Sequence, residues 1–205
     1  MARRTKEEAA ATRDSILDAA EQLFVEQGVS RTTLQHIASA AGVTRGAIYW
    51  HFDDKGALFN AMMERATLPL ESALQLLDQT DAAEPLRDLR EYVLAVLRAT
   101  VEDPKARRVF EIATLKMEFV DELDAARVRR RASLEAWMTR AEGRMRLAIK
   151  RGEVRSGVTP RAVALGLWAL VDGLIRNWLF DTSAFDLLEL GAEMVDTHIA
   201  GLRAG

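Results

Sequence analysis

A chain of 205 residues, 49% hydrophobic and 29% charged, is long and apolar enough to bury a core of its own, which excludes a disordered or low-complexity protein. Its 28 Lys and Arg against 31 Asp and Glu leave a net charge of −3, so no basic coat covers the surface, although a local basic patch stays open. The absence of cysteine excludes disulfides, thiolate metal sites and thiol nucleophiles, and fits a reducing compartment. The N-terminal MARRTKEEAAATR is charged and has no apolar h-region, and Asp172 ends the apolar stretch around 162–171 short of a membrane span. The expectation is a cytoplasmic protein with no membrane partner.

Alanine, leucine, glutamate and arginine dominate, and no β-branched run alternates at period two, so the sequence predicts an all-α protein of nine helices. Thr5-x-x-Glu8 reads as a capping box for a first helix carrying Ile16, Leu17, Ala20, Leu23 and Phe24 and stopped by Gly28. Thr32-x-x-Gln35 reads as a second box, opening a short helix that Gly42 breaks. Thr44 caps a third to about His51, and Asp53 or Asp54 a fourth that bends near Pro69 and runs to the late seventies. After a polar linker at 79–84, Pro85 starts a helix to about Glu102, Asp103-Pro104 one to about Glu118, and Asp121 a long one to about Arg151. A loop at 153–159 leads to a very apolar helix from Pro160 to Phe180. A break at Asp181, Thr182 and Ser183 precedes the last helix, to about Leu202. The domain reading is a three-helix head over 1–53 and a six-helix domain over 54–205.

The stretch that carries chemistry is Thr32–Phe52, TTLQHIASAAGVTRGAIYWHF: two short helices joined by a glycine-centred turn, the pattern of a helix-turn-helix whose second helix enters the DNA major groove. Leu34, Ile37, Ala38, Ala41, Val43, Ile48 and Phe52 can fix the angle between the helices. Arg45, Gly46, Tyr49 and Trp50 fall near one face of the second helix. Arg45 can fork onto guanine O6 and N7, and Tyr49 and His51 can donate to phosphates. Thr33 and Lys55 stand at helix N-termini, where backbone N–H groups favour phosphate. Residues 1–56 hold seven basic and eight acidic side chains, yet 27–52 contain no acidic residue while carrying Arg31 and Arg45. Arg3, Arg4 and Lys6 add a short basic arm, so positive potential is confined to one surface.

The pattern TRxxILxAAxxLFxxxGxxxTTLxxIAxxAGVTRGAIYWHFxxKxxLF, present as Thr12 to Phe59, resembles the DNA-binding domain of the TetR family of bacterial transcriptional repressors. In length, in helix layout and in the segment Val171-Asp172-Gly173-Leu174-Ile175-Arg176-Asn177-Trp178, the whole chain is similar to the AcrR/TtgR-like subgroup that represses multidrug efflux pumps. The resemblance implies an all-helical homodimer with two DNA-binding heads, a near-palindromic double-stranded operator, and a C-terminal pocket for a small hydrophobic or aromatic effector that moves the heads apart. By position it carries DNA contact to Thr33, Thr44, Arg45, Gly46, Tyr49, Trp50, His51 and Lys55, and packing to Gly42, Val43, Ile48 and Phe52.

In the last two-thirds of the chain, Trp168, Asp172, Ile175 and Leu179 form a stripe at helical spacing, with Val171 and Arg176 beside it. One reading is a core helix with an Asp172–Arg176 ion pair. The other, favoured by the resemblance, is an effector pocket whose apolar wall carries one or two polar groups. Leu89, Tyr92, Val96, Phe110, Thr114, Met117 and Trp137 supply the candidate opposite walls. The last two helices carry Leu165, Leu167, Leu174, Trp178, Leu187, Leu190, Met194, Val195 and Ile199, more apolar surface than one domain needs outside, and are expected to form a four-helix bundle across a two-fold axis. His36, His51 and His198 include no i, i+4 pair, and no catalytic triad or phosphate-cradling loop occurs, so no metal, cofactor or enzymatic activity is expected. The run Arg127-Val128-Arg129-Arg130-Arg131 reads as a solvated face. A regulator of an unrelated pathway, one without an effector, and a helical adaptor stand as the rival readings.

Overall fold

The computed structural model describes residues 2–78, 84–117 and 123–204, and within them the side chains of 2–5, 71, 72 and 76 are left aside. Ten α-helices account for most of these residues: α1 Ala2–Gln27, α2 Leu34–Ala41, α3 Arg45–His51, α4 Lys55–Thr67, α5 Glu71–Leu76, α6 Pro85–Glu102, α7 Pro104–Glu111, α8 Asp124–Lys150, α9 Pro160–Phe180 and α10 Leu187–Ala200. A 3₁₀ turn at Leu68–Leu70 separates α4 from α5, and a π-helical turn at Ile112–Lys116 extends α7.

The expected fourth helix is therefore two. Pro69 lacks the N–H that would continue the ladder, and the chain tightens into 3₁₀ geometry there. The first helix begins at Ala2, ahead of Thr5, so the Thr5 box does not mark its start. The last helix starts later than expected: Asp186 is its cap, accepting from the amides of Leu188 (2.8 Å) and Glu189 (2.9 Å). Of the two candidate caps for α4, Asp54 accepts from the Ala57 amide at 2.6 Å. The linker at 79–83, Glu118 and the start at Asp121 lie outside the described residues, as do the side chains of Arg3, Arg4 and Thr5.

The chain divides into two compact units, Met1–Ala66 with Arg108–Arg130, and Thr67–Arg107 with Arg131–Gly205. The cut expected after residue 53 is displaced because α4 shares the core of the head: Leu58, Phe59, Met62 and Ala66 are buried in one cluster with Ile16, Leu17, Ala20 and Phe24 of α1, Ile37 and Ala38 of α2, and Ile48 of α3. Val109, Ile112 and Leu123 join that cluster from the later segment. Ionic contacts follow the same division. Glu21 is buried beneath Arg65 of α4, which also reaches Asp18 at 2.7 Å, while Arg108 lies 4.0 Å from Glu21.

In the second unit α6, α9 and α10 pack together and α5 lies on α6. Its interior contains Leu86, Leu89 and Val93 of α6, Trp137, Met138, Ala141 and Met145 of α8, Val163, Ala164 and Leu167 of α9, and Val195 and Ile199 of α10. A second cluster gathers Leu97, Leu174, Ile175, Trp178 and Leu187. Arg107 stands 5.0 Å over the Trp178 ring and donates to the carbonyls of Thr100 and Val101 at the end of α6. Asp172 interrupts the apolar run without ending it: the whole of α9 is long and apolar enough to cross a membrane by length and composition. Its packing gives another reason for that composition: one face enters both core clusters, while Leu165, Ala169 and Phe180 lie on other faces.

Candidate functional site

The helix-turn-helix is set by backbone geometry at its two caps and its turn. Thr33, extended at φ −101° and ψ 156°, is the N-cap of α2; its hydroxyl accepts from the His36 amide at 3.2 Å, and its own amide donates to His36 Nδ1 at 3.4 Å. This reciprocal box is one residue later than the Thr32–Gln35 pair that the sequence suggests. Thr32 instead points inward, its buried hydroxyl donating to the Gly28 carbonyl at 2.8 Å. Gly42 ends α2 in the left-handed region at φ 67°, where a side chain is strained, and the Val43 amide closes back on Ala38 at 3.0 Å. Thr44 then caps α3 by accepting from the Ala47 amide at 3.2 Å.

Buried Ile48 and Phe52 hold one side of α3 against the core, so Arg45, Gly46, Tyr49 and Trp50 turn outward. Trp50 is 73% exposed, which is unusual for so large an apolar ring. Arg45 donates to the Tyr49 hydroxyl at 3.0 Å and lies 5.4 Å over that ring, so its guanidinium is held along the exposed face rather than free to sweep. The Trp50 ring meets His51 edge-on at 4.6 Å. His51 is half-buried, and burial together with the nearby Arg13 charge holds its imidazole below the usual histidine range. Arg13 itself lies 5.3 Å over the Phe52 ring. Thr33 and Thr44 are exposed beside this surface.

Lys55 departs from its expected role. It is only 2% exposed, and its ammonium donates to the carbonyls of Val29 (3.0 Å), Ser30 (3.3 Å) and Thr32 (3.0 Å). A phosphate cannot reach an ammonium enclosed in this way; the side chain braces the loop that leads into α2. Sequence spacing placed the residue at a helix N-terminus but carried no sign of where its long side chain would turn.

The residues expected to line an effector pocket fall in both units. Phe110, Thr114 and Met117 belong to the first. In the second, Leu89, Trp137, Tyr92, Trp168 and Val171 gather in one cluster and Val96, Val171 and Ile175 in the other. Asp172 is half-buried rather than sealed in the core, and Arg176 is exposed. Tyr92 and Trp137 stack with centroids 4.9 Å apart.

Of the nine residues expected at a dimer interface, Leu167, Leu174, Trp178, Leu187, Val195 and Ile199 are buried within the single chain and are not available to a partner. They occupy the inner stripe of α9 and α10, which lies about half a turn around the helix from the outer stripe. The outer stripe keeps Leu165, Leu190 and Met194 and adds residues that the sequence did not single out, Ala162 and Ala169, with Leu170 at its edge and packed partly against both core clusters. A shallow cavity of about 310 Å³ on this face is lined by Leu170, Leu190, Glu193, Met194, Thr197 and His198.

A braced helix-turn-helix head with an exposed Arg–Tyr–Trp face, joined to a larger helical unit, defines a DNA-binding regulatory protein. Comparison with known sequences supports that class. The bacterial regulatory proteins of the TetR family match residues 16–62, and the C-terminal region of MAATS-type transcriptional repressors matches 84–203. The chain is 38% identical to the HTH-type transcriptional regulator TtgR of Pseudomonas putida, over 99% of this chain and 97% of that one. Among solved structures, NalD, described as the secondary repressor of the MexAB-OprM multidrug efflux pump in Pseudomonas aeruginosa, superposes with a TM-score of 0.87 at 38% identity, over 96% of this chain and 98% of that one. SmeT, the repressor of the Stenotrophomonas maltophilia efflux pump SmeDEF, was solved in complex with triclosan; it superposes with a TM-score of 0.84 at 33% identity, over 95% of this chain and 92% of that one. The chain belongs to the TetR family of bacterial transcriptional regulators.

Proposed function

We propose that this protein is a cytoplasmic repressor that holds a near-palindromic operator as a homodimer and releases it when a small hydrophobic or aromatic compound enters the second unit. The observation that carries the DNA half is the exposed Arg45–Tyr49–Trp50 face on a helix capped at Thr44, in a stretch with no acidic side chain. Arg45 reads a guanine edge, and Thr33, Thr44, Gly46, Tyr49, Trp50 and His51 position the phosphate backbone around it. A repressed multidrug efflux operon is the target that fits best, given what NalD and SmeT are described as controlling.

The effector half rests on the aromatic and apolar side chains of α6, α8 and α9, with Asp172 and Arg176 as polar neighbours. Dimerisation through the outer stripe of α9 and α10 covers Leu165, Leu190 and Met194, and two-fold symmetry then requires two half-sites on the DNA. Effector binding releases DNA only if the compound prefers the arrangement of heads that no longer fits the operator. Selection of bound duplexes from a random library, followed by footprinting, tests this reading. A protected site with two inverted half-sites is expected; enrichment of no sequence would leave a helical adaptor as the better description.

A further inference from the structure

In the second unit the Trp137 ring is 4% exposed and stacked on Tyr92 with planes 19° from parallel. Its indole Nε1–H is buried and has no hydrogen-bond acceptor among the described residues. An indole nitrogen only donates, so nothing but an oxygen or nitrogen lone pair satisfies it well. Buried indole N–H groups ordinarily find such a partner, and an exception needs a reason. The side chains gathered in the same cluster, among them Leu89, Val93, Leu134, Trp168 and Val171, bring no such acceptor. The stacked Tyr92 phenol carries an oxygen, but it accepts no hydrogen bond from the indole. The result is a directional donor set into an aromatic wall of apolar surroundings, the combination by which small-molecule sites fix orientation.

We propose that the Trp137 indole N–H is the polar anchor of the effector site, and that it selects flat aromatic compounds bearing a carbonyl, ether or ring-nitrogen acceptor over hydrocarbons of the same shape. The inference rests on the reading of the second unit as an effector-binding domain and narrows that reading to a chemical class. A compound with an acceptor completes the missing hydrogen bond. A hydrocarbon of equal size fills the same space and leaves the donor unpaired, and a site built to pair a polar group discriminates strongly against a ligand that lacks one. Trp137 thereby becomes a specificity determinant, while Tyr92 holds its ring in one orientation.

Two isosteric probes test this: 2-acetylnaphthalene, which has a carbonyl, and 2-ethylnaphthalene, which has none. Calorimetry on the full chain should give roughly tenfold tighter binding of the ketone, about 1.4 kcal/mol. Trp137→Phe keeps a ring and removes the N–H; the ketone should lose that tenfold while the hydrocarbon binds as before. A second measurement needs no variant. With ¹⁵N-labelled indoles, one of the four Trp side-chain resonances should move downfield with the ketone and not with the hydrocarbon. Undiminished preference for the ketone in Trp137→Phe, or no indole shift in the wild type, overturns the role of Trp137 and leaves the effector domain standing. If neither probe binds the wild type, the effector reading itself falls, and this inference with it.

Discussion

The ammonium of Lys55 donates at 3.0 Å to the carbonyl of Thr32, the residue immediately before the N-cap of α2. A side chain on the fourth helix thus holds the loop that aims the helix-turn-helix. With two further carbonyls, of Val29 and Ser30, on the same ammonium, the charge is consumed inside the protein. Lys55→Ala should therefore lower the stability of the chain by about 3 kcal/mol, since it removes charge-assisted bonds and strands buried carbonyls. The salt dependence of DNA binding by the folded fraction should stay as it was. A phosphate contact would behave in the opposite way, with unchanged melting and a salt slope reduced by about one.

Arg45 and Tyr49 form the matching pair on the outside. Arg45→Ala should weaken operator binding by about 1–3 kcal/mol and relax the preference at one base pair in each half-site. Tyr49→Phe keeps the ring under the guanidinium and loses the 3.0 Å hydrogen bond, so it should cost less and leave the preferred base the same. Binding to a panel of operators mutated one base pair at a time separates the two outcomes. Equal losses on every sequence from Arg45→Ala would reduce that residue to a backbone contact.

Much of this surface was legible in the sequence because it depends on local rules. Glycine after α2, threonine before α3 and the gap in acidic residues each act over a few positions, and Gly42, Thr44 and Arg45 stand where the pattern put them. The shift of the second box from Thr32 to Thr33 was not legible, because two adjacent threonines offer the same hydroxyl and only the burial of one against Gly28 decides. The faces of α9 and α10 were misassigned for a related reason. Both carry large apolar residues on more than one face, so periodicity alone does not say which stripe meets the core, and six of the nine residues expected outside are inside. The division at residue 53 failed because the core of the head reaches across α4, a long-range contact that no composition shift announces.

Arg65 and Glu21 give a third test. Glu21 is 1% exposed, and Arg65 is its near partner, with Arg108 at 4.0 Å. Arg65→Met should leave a buried carboxylate poorly compensated and destabilise the first unit by about 3 kcal/mol. Adding Glu21→Gln should recover a good part of the loss. Urea denaturation of the two variants checks this, and no recovery in the double variant would mean that Arg65 acts by packing rather than by charge.

His198 predicts a pH dependence. Its Nε2 is buried without a partner among the described residues, and burial holds the imidazole below the ordinary 6.5, so the folded chain prefers it neutral. The unfolded chain then binds more protons over the interval below that value, and stability falls as pH drops through 6.5 toward the folded pKa. Thermal melts between pH 7.5 and 5.5 should show the decline, and His198→Gln should reduce it over this window, the remainder coming from His51, which burial and Arg13 also hold low. A Gly166→Ala change should disturb the same imidazole, because a β-carbon there would stand 3.2 Å from its Cε1.

As proposed above, one chain couples an operator to an aromatic effector. The direct measurement is a pair of titrations: operator anisotropy with and without 2-acetylnaphthalene, and calorimetry of that ketone with and without operator, using the site recovered by selection. Linkage requires the two factors to be equal. The ketone should weaken operator binding at least fivefold, a coupling of about 1 kcal/mol or more, and operator should weaken ketone binding by the same factor. Tight binding of both ligands with no mutual effect would contradict it, since a compound that binds both states equally shifts neither.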